Sequence, residues 1–237
     1  MGASLNRLAM SDPRDGPLPV FLMLLTIVTG LVDAVSYLAL GHVFVANMTG
    51  NVVFLAFAVV DAQEFSVPAS FTAIVAFLLG ALVGGRLARW QSAHRGRLFG
   101  ATLLLETSLV GLALAVSLIA LVSTSSGRYP TILALSVAMG LQNATARRLA
   151  VPDLTTTVLT LTLTGFAADS KLAGGTSPRF GRRIIATASM FLGAAIGALV
   201  VLSVGASAVL MLALVLLATV LATALPHWRT TDAWTSS

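Results

Sequence analysis

Apolar residues in this chain recur in runs too long for the core of a small soluble domain. Six runs, at residues 18–40, 67–85, 98–122, 130–146, 184–204 and 206–225, are mostly apolar along their whole length. Each approaches the roughly 20 residues a helix needs to cross the hydrocarbon core of a bilayer. Composition agrees. Apolar residues make up 57% of the 237 and charged residues only 10%, against about 25% charged in a soluble domain. Mean hydropathy is +0.94. Such a chain has too little polar surface to cover a folded body in water, so an integral, all-α membrane protein is expected.

Two further apolar stretches, residues 43–60 and 154–168, are shorter and polar at their centres. The first carries Asn47, Thr49, Gly50 and Asn51; the second carries Thr155, Thr156, Thr157, Thr160, Thr162 and Thr164. Either they span, or they dip in and return. The 14 basic residues separate these readings, because cytoplasmic loops hold the excess of Lys and Arg. If all eight stretches cross, with the N-terminus inside, the basic residues are spread over both faces. If the two odd stretches return, Arg128 alone faces outward and Asp61 and Glu64 join it there. The expected fold is therefore six transmembrane helices plus two re-entrant or broken segments. Both termini are then cytoplasmic, loops near Gly96 and Gly174 lie inside, and those near Asp61 and Ser125 lie outside. The apolar run at 18–40 is longer than a signal-peptide core and lacks a cleavage site, so it reads as a retained first helix. Residues 1–17 read as a disordered cytoplasmic tail, residues 18–225 as one transmembrane domain, and residues 226–237 as a second tail.

The halves of the chain resemble each other. Gly30-Leu31-Val32-Asp33-Ala34 parallels Gly140-Leu141-Gln142-Asn143-Ala144 at an offset of 110. Phe77-Leu78-Leu79-Gly80-Ala81-Leu82-Val83-Gly84 parallels Met190-Phe191-Leu192-Gly193-Ala194-Ala195-Ile196-Gly197 at an offset of 113. Between them, Thr49 aligns with Thr160. Repeats over about 18–123 and 130–225, each with three spans, place the second copy upside down. Inverted repeats with interrupted helices meeting near the midplane form transporter and channel architectures.

Polar residues inside such a body are costly unless paired or hydrated. Asp33 in the first span reads as a proton or cation site, or as a hydrogen-bonding post; its counterpart is Asn143. Glu106, about two turns from its helix end, reads as an acid that reaches water. Asn47, Thr49, Gly50 and Asn51 read as a selectivity or binding element in a break that glycine permits, or as a tight turn at the tip of a hairpin. Thr160 and Thr162 are their candidates in the second half. Gln142 and Asn143 line a path beside Asp33 or bridge helices. Gly80 with Gly84 and Gly193 with Gly197 form G-x-x-x-G pairs, which let helices approach closely, either within the chain or in a homo-oligomer. Arg86, Arg89, Arg182 and Arg183 read as snorkelling anchors at the membrane edge.

Several chemistries are excluded. The chain has no cysteine, which removes disulfides, thiolate metal sites and cysteine nucleophiles. Its three histidines, His42, His94 and His227, are too scattered for a metal cage. No hydrolase, metalloprotease or phosphate-loop motif occurs, so neither an enzyme nor a cofactor is expected. The net charge of +5 belongs to loop arginines, and no soluble module is left to bind nucleic acid.

Gly30…Asp33-Ala34-Val35-Ser36-Tyr37…Gly41, followed by Phe44-Val45-Ala46-Asn47-Met48-Thr49-Gly50-Asn51, resembles the hallmark of the YoaK family. These are small bacterial inner-membrane proteins that share a domain of unknown function. Gly140-Leu141-Gln142-Asn143-Ala144 with its downstream threonines is similar to that family's second half, although Thr160-Leu161-Thr162-Leu163-Thr164 lacks a glycine usual there. The resemblance, covering about residues 17–225, implies a multi-pass protein of the bacterial inner membrane and no established activity. The reading is a small-solute or ion transporter or channel; the alternative is a non-transporting assembly factor, sensor or scaffold.

Overall fold

A computed structural model describes residues 14–60, 65–120, 122–154, 156, 159–175, 180–228, 230, 232 and 234–235. Among them the chain is all-helical. Eight α-helices run in order: α1 Leu18–Ala39, α2 Met48–Val59, α3 Val67–Trp90, α4 Arg95–Ile119, α5 Ser125–Leu149, α6 Leu159–Ala168, α7 Phe180–Ser203 and α8 Ala206–Ala224. The starts are written locally. The Ser66 hydroxyl accepts the Ala69 amide at the head of α3, with Pro68 in the first turn, and His94 accepts the Arg97 amide at the head of α4. Each takes up an N–H that a helix leaves unpaired.

Five of the helices, α1, α3, α4, α7 and α8 (the last with its 3₁₀ extension to Trp228), are long and apolar enough to cross a membrane. The expected stretch at 130–146 lies inside α5. At 25 residues α5 has the length, but Arg128, Gln142, Asn143, Arg147 and Arg148 dilute its apolar character. The shorter helices α2 and α6 have 12 and 10 residues. Large apolar side chains cover the outside: Phe71, Leu78, Leu118, Phe191, Leu199 and Leu202 are all more than half exposed. An apolar exterior of that extent has no place in water and suits lipid.

Small residues let the backbones cross closely at two places. Where α3 meets α5, a Cβ on Gly80 would fall on the Val137 carbonyl, one on Gly140 would fall on the Phe77 carbonyl, and one on Gly84 would stand 2.8 Å from the Ala144 methyl. Where α7 meets α1, a Cβ on Gly193 would fall on the Ile27 carbonyl, one on Gly30 would stand 2.6 Å from the Met190 carbonyl oxygen, and one on Gly197 would stand 2.8 Å from the Ala34 methyl. The two crossings use residues at matching offsets: Gly80 with Gly193, Gly140 with Gly30, Ala144 with Ala34. The G-x-x-x-G faces are thus consumed inside the chain, and a homo-oligomer built on them has no free surface to use.

Side-chain contacts identify the two ends of the bundle. At one end Asp15 sits between Arg182 (3.2 Å) and Arg95 (3.8 Å). Arg95 also donates to the carbonyls of Leu149 at 2.7 Å, Arg14 at 2.7 Å and Trp234 at 3.3 Å. That end therefore gathers the start of α1, the start of α4, the end of α5, the start of α7 and the chain's last described residues. At the other end Ser117 donates to Ser207 at 3.1 Å, and Arg128 packs beside Gly41. The expectation of a disordered tail at residues 1–17 falls mostly outside the described residues, but its end, at Asp15, is buried and paired. The reading of Arg182 and Arg183 as snorkelling anchors is corrected. Both are buried; Arg183 pairs with Asp153 at 3.0 Å and Asp169 at 2.8 Å and also donates to the Gly165 carbonyl. Carboxylates on neighbouring segments draw these guanidinium groups inward.

Candidate solute-binding cavity

The segment between α1 and α2 folds back along α1. Asp33 accepts the backbone N–H groups of Val45 (3.0 Å) and Ala46 (2.9 Å) on Oδ1, and the Asn47 side-chain amide on Oδ2. Asp33 lies six residues, about 9 Å, before the end of α1, so the loop reaches that far into the bundle before α2 begins. Asn51 fastens it a second time. Its Oδ1 accepts the Phe44 amide at 2.8 Å and its Nδ2 donates to the Phe44 carbonyl at 2.6 Å. These bonds satisfy backbone groups that the interruption of the helix frees, as burial requires.

From there α2 runs back to the end at which the loop entered. A stack of rings marks the return: Tyr37 on Phe44 at 5.1 Å, Phe44 on Phe54 at 5.7 Å, and Phe54 on Phe65, beside the start of α3, at 4.8 Å. Gly50 is not in the break. It lies inside α2, where a Cβ would come within 2.6 Å of the Phe44 ring. Its use is close packing, and the tip of the turn is built from residues 40–47 instead. In the second half Arg183 holds both Asp153 before α6 and Asp169 after it, so α6 also ends beside the segment that leads into it. Thr155, Thr157 and Val158 lie outside the described residues.

A cavity of about 690 Å³ opens between these short helices and the α3–α5 crossing. Asn47, Met48 and Thr49 at the start of α2, Thr160 at the start of α6, and Phe77, Ala81 and Gly85 on α3 line it. Asn143, Ala144 and Arg147 on α5 complete the wall. Of the residues singled out from the sequence, Asn47, Thr49, Asn143 and Thr160 are brought together here. Asp33, Gly50, Asn51, Gln142 and Thr162 are not on its wall. Asp33 is only 4% exposed and faces the loop; Asn51 is fully buried. Gln142 points the other way and donates to Thr29 of α1 at 2.9 Å. Thr162 is buried in α6.

Glu106 differs from expectation, and Arg147 joins the wall without having been singled out. Glu106 does not reach water: it is fully buried, and neither carboxyl oxygen has a hydrogen-bond partner among the described residues. It faces inward from α4, one turn beyond the Thr102–Thr145 contact of 2.8 Å that joins α4 to α5. Arg147 on the cavity wall escaped the sequence reading, because an Arg-Arg pair at a helix end looks like a membrane-edge anchor. The signal available was its spacing: Arg147 follows Asn143 by four residues and shares its helix face.

The family model described as "Protein of unknown function (DUF1275)" matches residues 21–222, a range that takes in the whole cavity. The UPF0700 transmembrane protein YoaK of Bacillus subtilis (strain 168) is 32% identical over 157 residues, 62% of this chain and 65% of that protein. The match thus covers just under two thirds of that relative. No solved structure matches. The family match, the transmembrane relative and the apolar exterior agree with one another, and the chain is a transmembrane protein of the DUF1275 family.

Proposed function

We propose that this protein moves a small solute or ion across the bacterial cytoplasmic membrane, through the cavity between two returning half-helices. One observation carries the reading: polar residues from two distant parts of the chain, Asn47 and Thr49 on one side, Asn143 and Thr160 on the other, face a single open cavity. In a bilayer, irregular backbone and polar side chains are tolerated where they line a water-filled space. The matching offsets at the two helix crossings support an inverted duplication with six crossings, α5 supplying the sixth. The basic residues support the orientation. Arg14, Arg95 and Arg182 meet around Asp15 at one end and Arg128 stands at the other, so the first end, with the described ends of the chain, reads as the cytoplasmic one.

The alternative, a non-transporting assembly, sensor or scaffold protein, draws on a different observation. Asp33, Asn51 and the amide of Gln142 are engaged with protein groups, as a purely structural set would be. A swelling assay separates the two readings. Proteoliposomes carrying the full chain are challenged with isotonic salts of small organic anions, chlorides of organic cations and neutral polyols, with and without a pH gradient. Swelling in at least one solute is expected. Thr49→Trp, which fills the cavity, abolishes it, and Leu118→Trp on the lipid-facing surface leaves it. No swelling under any condition, or swelling indifferent to Thr49→Trp, overturns the transport reading.

A further inference from the structure

We infer that the cavity takes an organic anion, a carboxylate or phosphate with an apolar body, whose charged group is held by Arg147. This inference rests on the cavity being a solute site. Among the described residues, Arg147 is the one charged residue that lines the wall, and no acidic residue joins it. It has no hydrogen bond or ion pair with any described residue; Arg95, not Arg147, takes the terminal Leu149 carbonyl of α5. Asp33, which binds Asn47 of the wall, is already engaged: the loop's two backbone amides and Asn47 occupy both its oxygens. A cation entering the cavity would therefore meet Arg147 and, among the described lining residues, no carboxylate.

The remaining wall fits an amphiphilic anion. Gly85 and Arg147 lie toward the same end of the α3–α5 crossing, because Gly84 packs on Ala144. Phe77 lies eight residues from Gly85 along α3, about 12 Å deeper. The charged group of a solute then sits at Arg147, with the hydroxyls of Thr49 and Thr160 as further hydrogen-bond partners. Its apolar body extends toward Phe77, Ala81 and Met48. The start of α2, where Asn47 makes no side-chain cap, adds a partial positive charge of the sort that favours anions. The volume is in the range of pockets that bury whole organic molecules, far more than an inorganic ion needs.

The test is equilibrium binding to the purified full chain, read as a ligand-induced rise in thermal midpoint, with probes matched in shape. Benzoate and phenyl phosphate are compared with benzylammonium and benzamide, first in detergent and then in phosphatidylcholine nanodiscs with and without phosphatidylglycerol. The anions are expected to stabilise the protein and the other two to leave it unchanged. Arg147→Gln should weaken anion binding tenfold or more, Arg147→Lys should restore most of it, and Arg148→Gln should leave it as in the wild type. A response only to phosphatidylglycerol that Arg147→Gln removes keeps the anion chemistry and assigns its source to a lipid head group. Equal stabilisation by benzylammonium or benzamide, no response to any anion, or a response indifferent to Arg147→Gln overturns the inference. Because the readout is binding, its failure leaves a positive swelling result standing, and anion binding without flux sinks transport alone.

Discussion

Asp33 of α1 accepts the side-chain amide of Asn47, so the carboxylate that reads from the sequence as a proton or cation site, or as a hydrogen-bonding post, is directed onto the loop that enters the bundle. Through its bonds to Val45, Ala46 and Asn47 it holds the loop at the point where α2 begins, next to the Asn47 and Thr49 of the cavity wall. Asp33→Asn places an amide NH₂ among three N–H donors. A buried donor left without an acceptor costs about 1–3 kcal/mol. The variant is expected to unfold at a lower temperature than wild type in detergent, and Asn47→Ala, which keeps both backbone bonds, to lose less. An Asp33→Asn protein of wild-type stability would contradict this role.

The two helix crossings make a paired prediction. Gly80→Ala and Gly193→Ala each force a methyl onto a neighbouring carbonyl, of Val137 and of Ile27. Overpacking of that kind costs about 1–3 kcal/mol. Both variants should show lowered unfolding midpoints of similar size, whereas Gly181→Ala, with nothing within 4 Å of its Cβ position, should not. Unequal losses would argue against equivalent crossings.

Arg183 and Arg182 are neighbours with different duties. Arg183 ties Asp153, Gly165 and Asp169 together around α6, and Arg182 reaches Asp15. Arg183→Gln should raise amide hydrogen exchange in α6 by about tenfold, the equivalent of about 1.4 kcal/mol, and leave α2 unchanged. Arg182→Gln should instead loosen the segment around Asp15. Exchange in α6 unaffected by Arg183→Gln would remove the clamp.

Much of the fold was legible because apolar run length and helix length obey one constraint. The run at 206–225 became α8, Ala206–Ala224, and the run at 18–40 became α1, Leu18–Ala39. The polar centre of residues 43–60 reads as an interruption, but periodicity does not say which residues leave the helix. Residues 40–47 make the loop, and Gly50 lies in the helix, where the Phe44 ring takes the space a Cβ would need. Residue type also failed to separate side chains that fasten from side chains that face open space. Gln142 and Asn143 are adjacent, yet 100° of helical rotation sends the first to Thr29 and the second to the cavity. Arg147 and Arg183 look alike in the sequence. Only the positions of Asp153 and Asp169, set by tertiary folding, make one a clamp and leave the other without a partner among the described residues.

The arrangement of the halves is tested most directly by where single cysteines react, since the chain has none of its own. Ala93→Cys and Leu172→Cys, both at exposed positions between helices, are expected to resist a membrane-impermeant thiol reagent in intact cells and to label after lysis. Val60→Cys and Ser125→Cys, likewise exposed, are expected to label in intact cells. Ala93→Cys and Leu172→Cys labelled from opposite sides of the membrane would contradict the inverted arrangement and the path proposed through it.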